Sequence, residues 1–289
     1  MHDDCTNPGN TMNKDTLDED GYIILEPNYS DLFRKRTYLA PIEYCIDRIT
    51  EYDIRHANVS VMRQYSSLLS TEVLDKLDNL GSQRNVEFGK LIRDSSIGQE
   101  ISKALAKGII QAKHELFKAN GILDQDVLSI KNDAVFIIGR RLKTTTFGYI
   151  TFAQKNVYAA YMALGKLEFY YDKKNDEIAV KGLSDEVLEE TDHNNGMLLF
   201  LKTVFNYLIV NNKDGLRKYL REFAADYKSL DLPYQYYREL NQDNCYRFKY
   251  DLSGYSFNFT QANNSYKPDL VTVFNYKFFV LPIIQRFYW

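Results

Sequence analysis

Between Gly98 and Asn120 apolar side chains recur at Ile101, Leu105, Ile109, Ala112 and Leu116. That is the spacing of one helix face, and Asn120-Gly121 supplies a stop. The pattern changes on either side of this amphipathic helix. Upstream, Glu51 to Met62 reads as a strand running into a helix, and 41–50 as a helix or an irregular segment. Val73, Leu74, Leu77 and Leu80 mark a second helix over 71–80, with Ser70 or Thr71 as N-cap and Gly81 ending it. Downstream, Val127 to Ile138 is an apolar β-run around one acid, and Phe147 to Phe152 follows as a further strand. A hairpin is expected from Leu167 to Tyr171, turning at 172–176 and returning over Glu177 to Lys181. Helices are predicted over 197–210 and 214–227. The Tyr/Phe-rich tail from Tyr246 reads as strand-like, and Phe278 to Ile284, broken by Pro282, as a buried or edge strand. The fold class is α+β, without an internal repeat.

Composition narrows the function classes. With 45% hydrophobic and 26% charged residues, the 289-residue chain has the make-up of a soluble globular protein. No apolar run is long enough to span a bilayer, so no membrane partner is expected. The polar, acidic stretch from Met1 to Asp20 lacks the apolar middle of a secretory signal and is expected to be a disordered leader. Cysteines 5, 45 and 245 form no CxxC pair, which fits a reducing cytoplasm. His2, His56, His114 and His193 are not spaced as metal ligands, and neither a P-loop nor a Gly-x-Ser-x-Gly elbow is present. The net charge of −3 argues mildly against a nucleic-acid partner, but its distribution matters more. From Lys131 to Lys181 there are nine basic and five acidic residues, so a basic face in the later part of the chain is expected.

Two acids stand apart from the solvated majority. Asp53 lies at a predicted strand end, flanked by Tyr52 and Ile54; Asp133 lies inside the apolar β-run. A carboxylate in apolar surroundings is neutralised, hydrogen-bonded or bound to a cation. Phosphoryl transfer provides the cation: two Mg²⁺ ions about 3.5–4 Å apart, bridged by carboxylates of neighbouring strands.

Several motifs, in order, resemble the polymerase core of B-family DNA polymerases. Tyr52-Asp53-Ile54-Arg55-His56-Ala57-Asn58-Val59-Ser60 resembles the first palm motif. Lys90 to Gly98 keeps the spacing of the fingers motif Lys-xxx-Asn-Ser-x-Tyr-Gly. Ile130-Lys131-Asn132-Asp133 falls on the Asp-Thr-Asp-Ser motif, and Lys155-Asn156-Val157-Tyr158-Ala159 is similar to Lys-Lys-Arg-Tyr-Ala. Lys181-Gly182-Leu183 looks like the segment before the thumb, and the run from Asn212 to Pro233 is reminiscent of thumb helices.

The resemblance spans roughly residues 50–240. It implies a leader over 1–22, an antiparallel palm sheet with helices and reduced fingers over 23–192 (fingers-like helix about 88–120), and a helical thumb with a tail over 193–289. It implies a template-directed DNA polymerase, possessing a two-metal centre of Asp53 and Asp133 that takes Mg²⁺ or Mn²⁺. Lys90, Asp94 and Asn58 would meet the incoming dNTP, with Lys90, Asp94 and Gly98 on one side of a helix. Lys131, Lys155, Tyr158, Lys181, Arg217, Lys218 and Arg221, with the 172–176 turn, would hold primer–template DNA through its phosphates. The part before residue 50 is too short for the family's proofreading domain, so a separate exonuclease or fingers subunit is an expected partner. A virus or mobile element is the implied source, and the host cytoplasm the implied location.

The chain departs from the family pattern at Lys131, which stands where the first acid of Asp-Thr-Asp is expected. If 127–138 is one strand, alternation puts Lys131 on the face of Asp133. Unit charges 4 Å apart interact by about 4 kcal/mol at an effective dielectric of 20. Ala57, Asn58, Asp94 and Ile97 also depart, which leaves sugar choice open between dNTP and NTP. An inactive relative that binds nucleic acid or a replication partner is the alternative, and an unrelated α+β protein is the third reading.

Overall fold

The computed structural model describes residues 35–165, 167–181, 196–233, 236–237 and 275–287, with Leu32 and the two-residue strands β1 (Thr16–Leu17) and β2 (Ile23–Ile24). It is a mixed α+β protein. Most of the leader, the acidic segment 185–192 and the tail from Tyr246 to residue 274 lie outside the described residues, as do Gly182 and Leu183.

The sheets are built from β3 (Thr37–Leu39), β4 (Tyr44–Cys45), β5 (Ile49–Ile54), β6 (Val127–Lys131), β7 (Ala134–Ile138), β8 (Thr146–Phe147), β9 (Ile150–Tyr158), β10 (Ala160–Leu164), β11 (Leu167–Asp172) and β12 (Glu177–Lys181). Six strands form a sheet in the order β3-β6-β7-β5-β9-β8, and four form a second in the order β12-β11-β10-β4. The chain divides into two compact units. The first holds residues 1–39, 52–136 and 142–153; the second holds 40–51, 137–141 and 154–289. Their boundary falls inside β5, β7 and β9.

In the first unit, β5 runs into α1 (Ala57–Tyr65), α2 (Thr71–Asp78), α3 (Arg84–Asp94) and α4 (Gly98–Asn120) before the chain returns as β6 and β7. This is a split β-α-β unit, in which the β6–β7 hairpin sets β7 beside β5. Ser70 caps α2 by accepting from the Val73 N–H, and α4 stops where Gly121 turns left-handed at φ 57°. Helices α1 and α4 touch backbone to side chain at Gly108. A Cβ there would lie 2.4 Å from Val61 Cγ1, so only glycine admits the crossing. Val59, Met62, Leu74, Leu77, Phe88 and Ile101 close a small core among the four helices.

The single strand expected over Phe147–Phe152 is a hairpin that turns at Gly148–Tyr149 between β8 and β9, and three further expectations are corrected. First, 127–138 is not one strand: Asn132 and Asp133 form a two-residue turn, with Asn132 at φ 53°. Asparagine tolerates this left-handed position, which is why apolar β-branched flanks on both sides hid a hairpin. Lys131 ends β6 opposite Thr37 while Asp133 belongs to the turn, so strand alternation does not place them on one face. Second, the fingers-like helix over 88–120 is two helices, broken at Ser95–Ile97. Lys90 and Asp94 lie on α3 and Gly98 opens α4. Third, Phe278 to Ile284 is helical: a π-helical turn, Tyr276–Val280, leads into α7 (Leu281–Phe287). Tyr276, Phe279, Val280 and Ile283, three to four residues apart, face the core. Pro282 falls where the π-helical turn passes into α7, so its missing N–H sits at that irregularity in the helix.

In the second unit, the hairpin of β11 and β12 forms as its sequence predicts, in antiparallel register from Glu168↔Lys181 to Asp172↔Glu177. The helices expected over 197–210 and 214–227 are α5 (Gly196–Ile209) and α6 (Lys213–Ser229). Met162, Phe169, Phe205, Leu220 and Phe279 belong to one aromatic-rich core. Arg286 ties α7 down, with Nε 2.9 Å from the Glu43 carboxylate and Nη1 donating to the Glu43 and Ala163 carbonyls. Phe200 is fully buried and stacks on Phe223 at 4.2 Å. Phe200→Ala is expected to lower unfolding free energy by about 3–5 kcal/mol through lost burial and a cavity. Urea denaturation followed by circular dichroism measures it; a change under about 1 kcal/mol would contradict this packing.

Candidate metal centre and candidate strand-binding cleft

Asp53 is the penultimate residue of β5. After it, the Arg55 N–H donates to the Thr151 carbonyl, and His56, left-handed at φ 51°, turns the chain into α1. The acid thus sits one residue from the end of the strand. Oδ1 of Asp53 is enclosed, away from solvent.

Asp133 reaches the same end of the sheet from the hairpin. The Gly139 N–H donates to the Arg48 carbonyl at 2.7 Å, which joins the end of β7 to the start of β5. The strands therefore run in opposite directions. Five residues back along β7 from Gly139 is Ala134, and five forward along β5 from Arg48 is Asp53, so regular pairing sets these opposite each other. Asp133 precedes Ala134. The two acids lie at one end of the sheet on neighbouring strands, carried by a strand end and a tight turn.

A residue not anticipated from the sequence lies within the electrostatic reach of Asp133. Lys113, on α4, is fully buried and donates through Nζ to the Lys35 carbonyl at 2.9 Å. Burial pulls its pKa down to about 8; the Asp133 carboxylate works against that shift and Arg36 adds to it. The signal was present. Lys113 falls four residues after Ile109 and three before Leu116, on the apolar stripe of α4, where a charged side chain is out of pattern.

The other candidates in the first unit are placed as follows. Lys90 pairs with Glu87 at 2.6 Å, and Asp94 lies beside Arg93 at 3.3 Å. Both Lys90 and Asp94 line an open groove of about 860 Å³ with α2 residues Val73 and Leu77. Asn58, the second residue of α1, donates to Asn85 Oδ1 at 3.2 Å, tying α1 to α3.

The second unit gathers Lys155, Tyr158 and Lys181 around an acid passed over in the sequence, Glu51. Glu51 is 2% exposed. Its Oε2 accepts from Asn156 Nδ2 at 2.7 Å and from the Tyr158 hydroxyl at 2.8 Å. Its Oε1 stands 4.0 Å from Lys155 Nζ and 3.9 Å from Lys181 Nζ. Burial, then the Glu51 charge and hydrogen bond, hold the Tyr158 hydroxyl well above its ordinary range. Period two along β5 puts Glu51 on the same strand face as Asp53, and that was its legible signal.

A cleft of about 670 Å³ opens beside this cluster, lined by Arg48, Lys155, Asn156, Tyr158, Lys173 and Lys174, with Asp47 and Asp172. Both acids are engaged locally. Asp172 accepts from the Lys174 and Asn175 N–H groups, capping the hairpin turn, and Asp47 accepts from the Arg48 N–H. The cleft therefore presents mainly cations. On α6, Arg217 lies 3.7 Å from Asp214 and Lys218 3.9 Å from Glu222, while Arg221 is exposed on the same helix.

The sequence matches, over residues 28–288, the family described as Bacteriophage PBS1 gene 130 protein. The chain belongs to that family. No curated protein matches it. Membership extends over both units and all three groups of residues above, and it points to a phage source. Among the described residues, no helix is long and apolar enough to cross a membrane.

The donor set at Asp53 and Asp133 fits a hard cation. Both offer carboxylate oxygen, and the enclosed Oδ1 of Asp53 gives one donor a fixed position. Among the described residues there is no group of three or more His, Cys, Asp and Glu able to hold an ion. A bound Mg²⁺ would complete its shell with water, backbone carbonyl and substrate oxygen, as Mg²⁺ commonly does.

Proposed function

We propose that this chain is a template-directed nucleotidyl transferase: a DNA polymerase palm that joins dNTPs to a primer 3′-hydroxyl, with Asp53 and Asp133 as its metal-binding acids. The observation that carries the reading is the pairing of β7 with β5, which sets a strand-end acid and a turn-borne acid one strand apart. A two-ion phosphoryl-transfer centre needs two acids on neighbouring strands, which this pairing supports, and the motifs around both acids resemble the B-family core in order. Two Mg²⁺ ions bound there would activate the attacking hydroxyl and stabilise the departing pyrophosphate.

The chain's own residues divide the remaining work. Asp53, held at the end of a paired strand, fixes one carboxylate; Asp133, on a two-residue turn, presents the other with little conformational freedom. Lys155, Lys173 and Lys174 hold strand phosphates at the second unit's cleft, with Lys181 beside Glu51 next to it, reading charge rather than sequence. Arg217, Lys218 and Arg221 on α6 form the thumb-like grip on the duplex. Lys90, Asp94 and Asn58 are assigned to the incoming nucleotide on motif spacing alone.

A second reading has a specific observation behind it. The buried Lys113 ammonium, close enough to Asp133 to shift in its field, competes with a cation for that carboxylate. On that reading the chain binds nucleic acid or a replication partner without chemistry. Primer extension by the full-length protein separates the two, using Mg²⁺ or Mn²⁺ with dNTPs and with NTPs. Extension is expected with dNTPs, and primer–template binding should weaken steeply with salt. Tight, salt-sensitive binding without extension under any ion would leave the inactive relative as the answer.

A further inference from the structure

We propose that Glu51 is a positioning residue, fixing the ammonium groups of Lys155, which lines the second unit's cleft, and of Lys181 on the other side of Glu51 to receive the phosphodiester backbone of a nucleic-acid strand. This inference rests on the nucleic-acid reading above. Glu51 itself makes no contact with the strand; it acts through the two lysines.

The geometry separates this acid from an ordinary ion pair. A surface pair such as Lys218 with Glu222 also stands at 3.9 Å, but its carboxylate is exposed, whereas Glu51 is 2% exposed and held by neutral donors. Here both lysines stand at 3.9–4.0 Å from one oxygen, beyond hydrogen-bond length. The carboxylate is instead held by neutral groups, since Oε2 takes both the Tyr158 hydroxyl and the Asn156 amide. Its orientation is thus fixed without the lysines, and its second oxygen is aimed between them.

Two lysines near each other repel, and the exposed Lys155 in particular samples many rotamers. A buried negative charge between them offsets the repulsion and narrows those rotamers before any strand arrives. Lys155 keeps more than half of its side chain in solvent, so its ammonium stays within reach of an incoming anion. The ordering cost of binding is thereby met in the free protein. Phosphodiester is the anion class that fits, because the cleft adds Arg48, Lys173 and Lys174, a spread of cations suited to successive phosphates.

The test is fluorescence anisotropy of a labelled primer–template with the full chain, titrated at several KCl concentrations. Each phosphate contact contributes about 0.9 to the slope of log affinity against log salt. Glu51→Gln keeps an oxygen for Tyr158 and Asn156 but removes the charge. It is expected to bind about tenfold more weakly at low salt, with the slope reduced by one to two contacts, about 0.9–1.8. The Lys155→Met/Lys181→Met pair should lose at least as much, and Glu51→Gln added to that pair should change nothing further, as expected for a residue acting through them. Asn156→Ala removes one of the two neutral hydrogen bonds to the carboxylate while keeping its charge, and should lower the slope partway.

Unchanged or tighter binding by Glu51→Gln, the result of removing a merely neutralising acid, overturns the proposal. So does an unaltered slope in Asn156→Ala, which also decides the matter if Glu51→Gln does not fold. If the unmodified chain fails to bind primer–template at all, the nucleic-acid reading falls and this inference falls with it. Binding that ignores both variants removes only the role of Glu51.

Discussion

Asp133→Asn is expected to reduce Mg²⁺-dependent primer extension by about a thousandfold or more, and Asp53→Asn by a similar factor. Each change keeps shape and hydrogen-bonding capacity while removing one negative charge. Losing an acid that holds the ions should cost several kcal/mol of transition-state stabilisation, and each 1.36 kcal/mol is a factor of ten in rate. The double variant should be scarcely slower than either single one, because residues that act as a unit are not additive. Single-turnover extension at saturating primer and dNTP measures the chemical step, and anisotropy on the same samples checks that primer binding persists. The turn should accept the change at Asp133, since asparagine suits such positions. A variant that loses extension together with its fold would say nothing of chemistry, so thermal melting accompanies each. Activity within tenfold of wild type in a folded Asp133→Asn would remove that residue from the centre.

The second large effect concerns stability, and its sign follows from Lys113. Its pKa, lowered from 10.5 to about 8 by burial, means that the folded state disfavours the ammonium. Below pH 8 both states carry the proton and the burial penalty is at its full value. Between about pH 8 and 10.5 the unfolded chain still holds a proton that the folded chain has released, so stability rises with pH. At 1.36 kcal/mol per pKa unit the rise from this group is about 3 kcal/mol. Tyrosines act in the opposite sense above pH 10. Burial raises the pKa of Tyr65, Tyr158, Tyr161 and Tyr219, so the unfolded chain ionises first and stability falls. Urea unfolding from pH 7 to 11 should therefore show a maximum near pH 10. Lys113→Met should abolish the rise between pH 8 and 10. At pH 7 the variant should be about 1–2 kcal/mol more stable, because relief of the buried charge outweighs the orphaned Lys35 carbonyl. A wild type whose stability is flat between pH 8 and 10, or a variant destabilised by several kcal/mol, would contradict a buried, strained ammonium at this place.

Local pattern carried much of the fold. Period 3.6 over 98–120 with Asn120-Gly121 behind it gave α4 to the residue, and the alternating run into a five-residue polar turn gave β11 and β12. Two of the misreadings come from apolar runs. Apolar content outlasted a change of direction, so the Asn132-Asp133 turn was concealed between Val127–Lys131 and Ala134–Ile138, and Pro282 was taken as a strand break where it opens a helical turn. Strand order could not be read at all, because the pairing of β7 with β5 joins residues about ninety apart in the chain. For the candidate site, apolar flanks and motif order singled out Asp53 and Asp133 as the proposed pair. Glu51 and Lys113 were not singled out. Each needed the tertiary structure to show what its charge faces, although the apolar register of α4 already marked Lys113 as anomalous.

The pairing of Asp53 with Asp133 around divalent ions is most directly examined by anomalous diffraction from crystals grown with Mn²⁺, primer–template and an unreactive dNTP analogue. Two Mn²⁺ peaks about 3.5–4 Å apart are expected, each within about 2.5 Å of an oxygen of Asp53 or Asp133. A map in which the analogue is bound but no Mn²⁺ touches both carboxylates, with Lys113 Nζ bonded to Asp133 in its place, would contradict the two-ion centre.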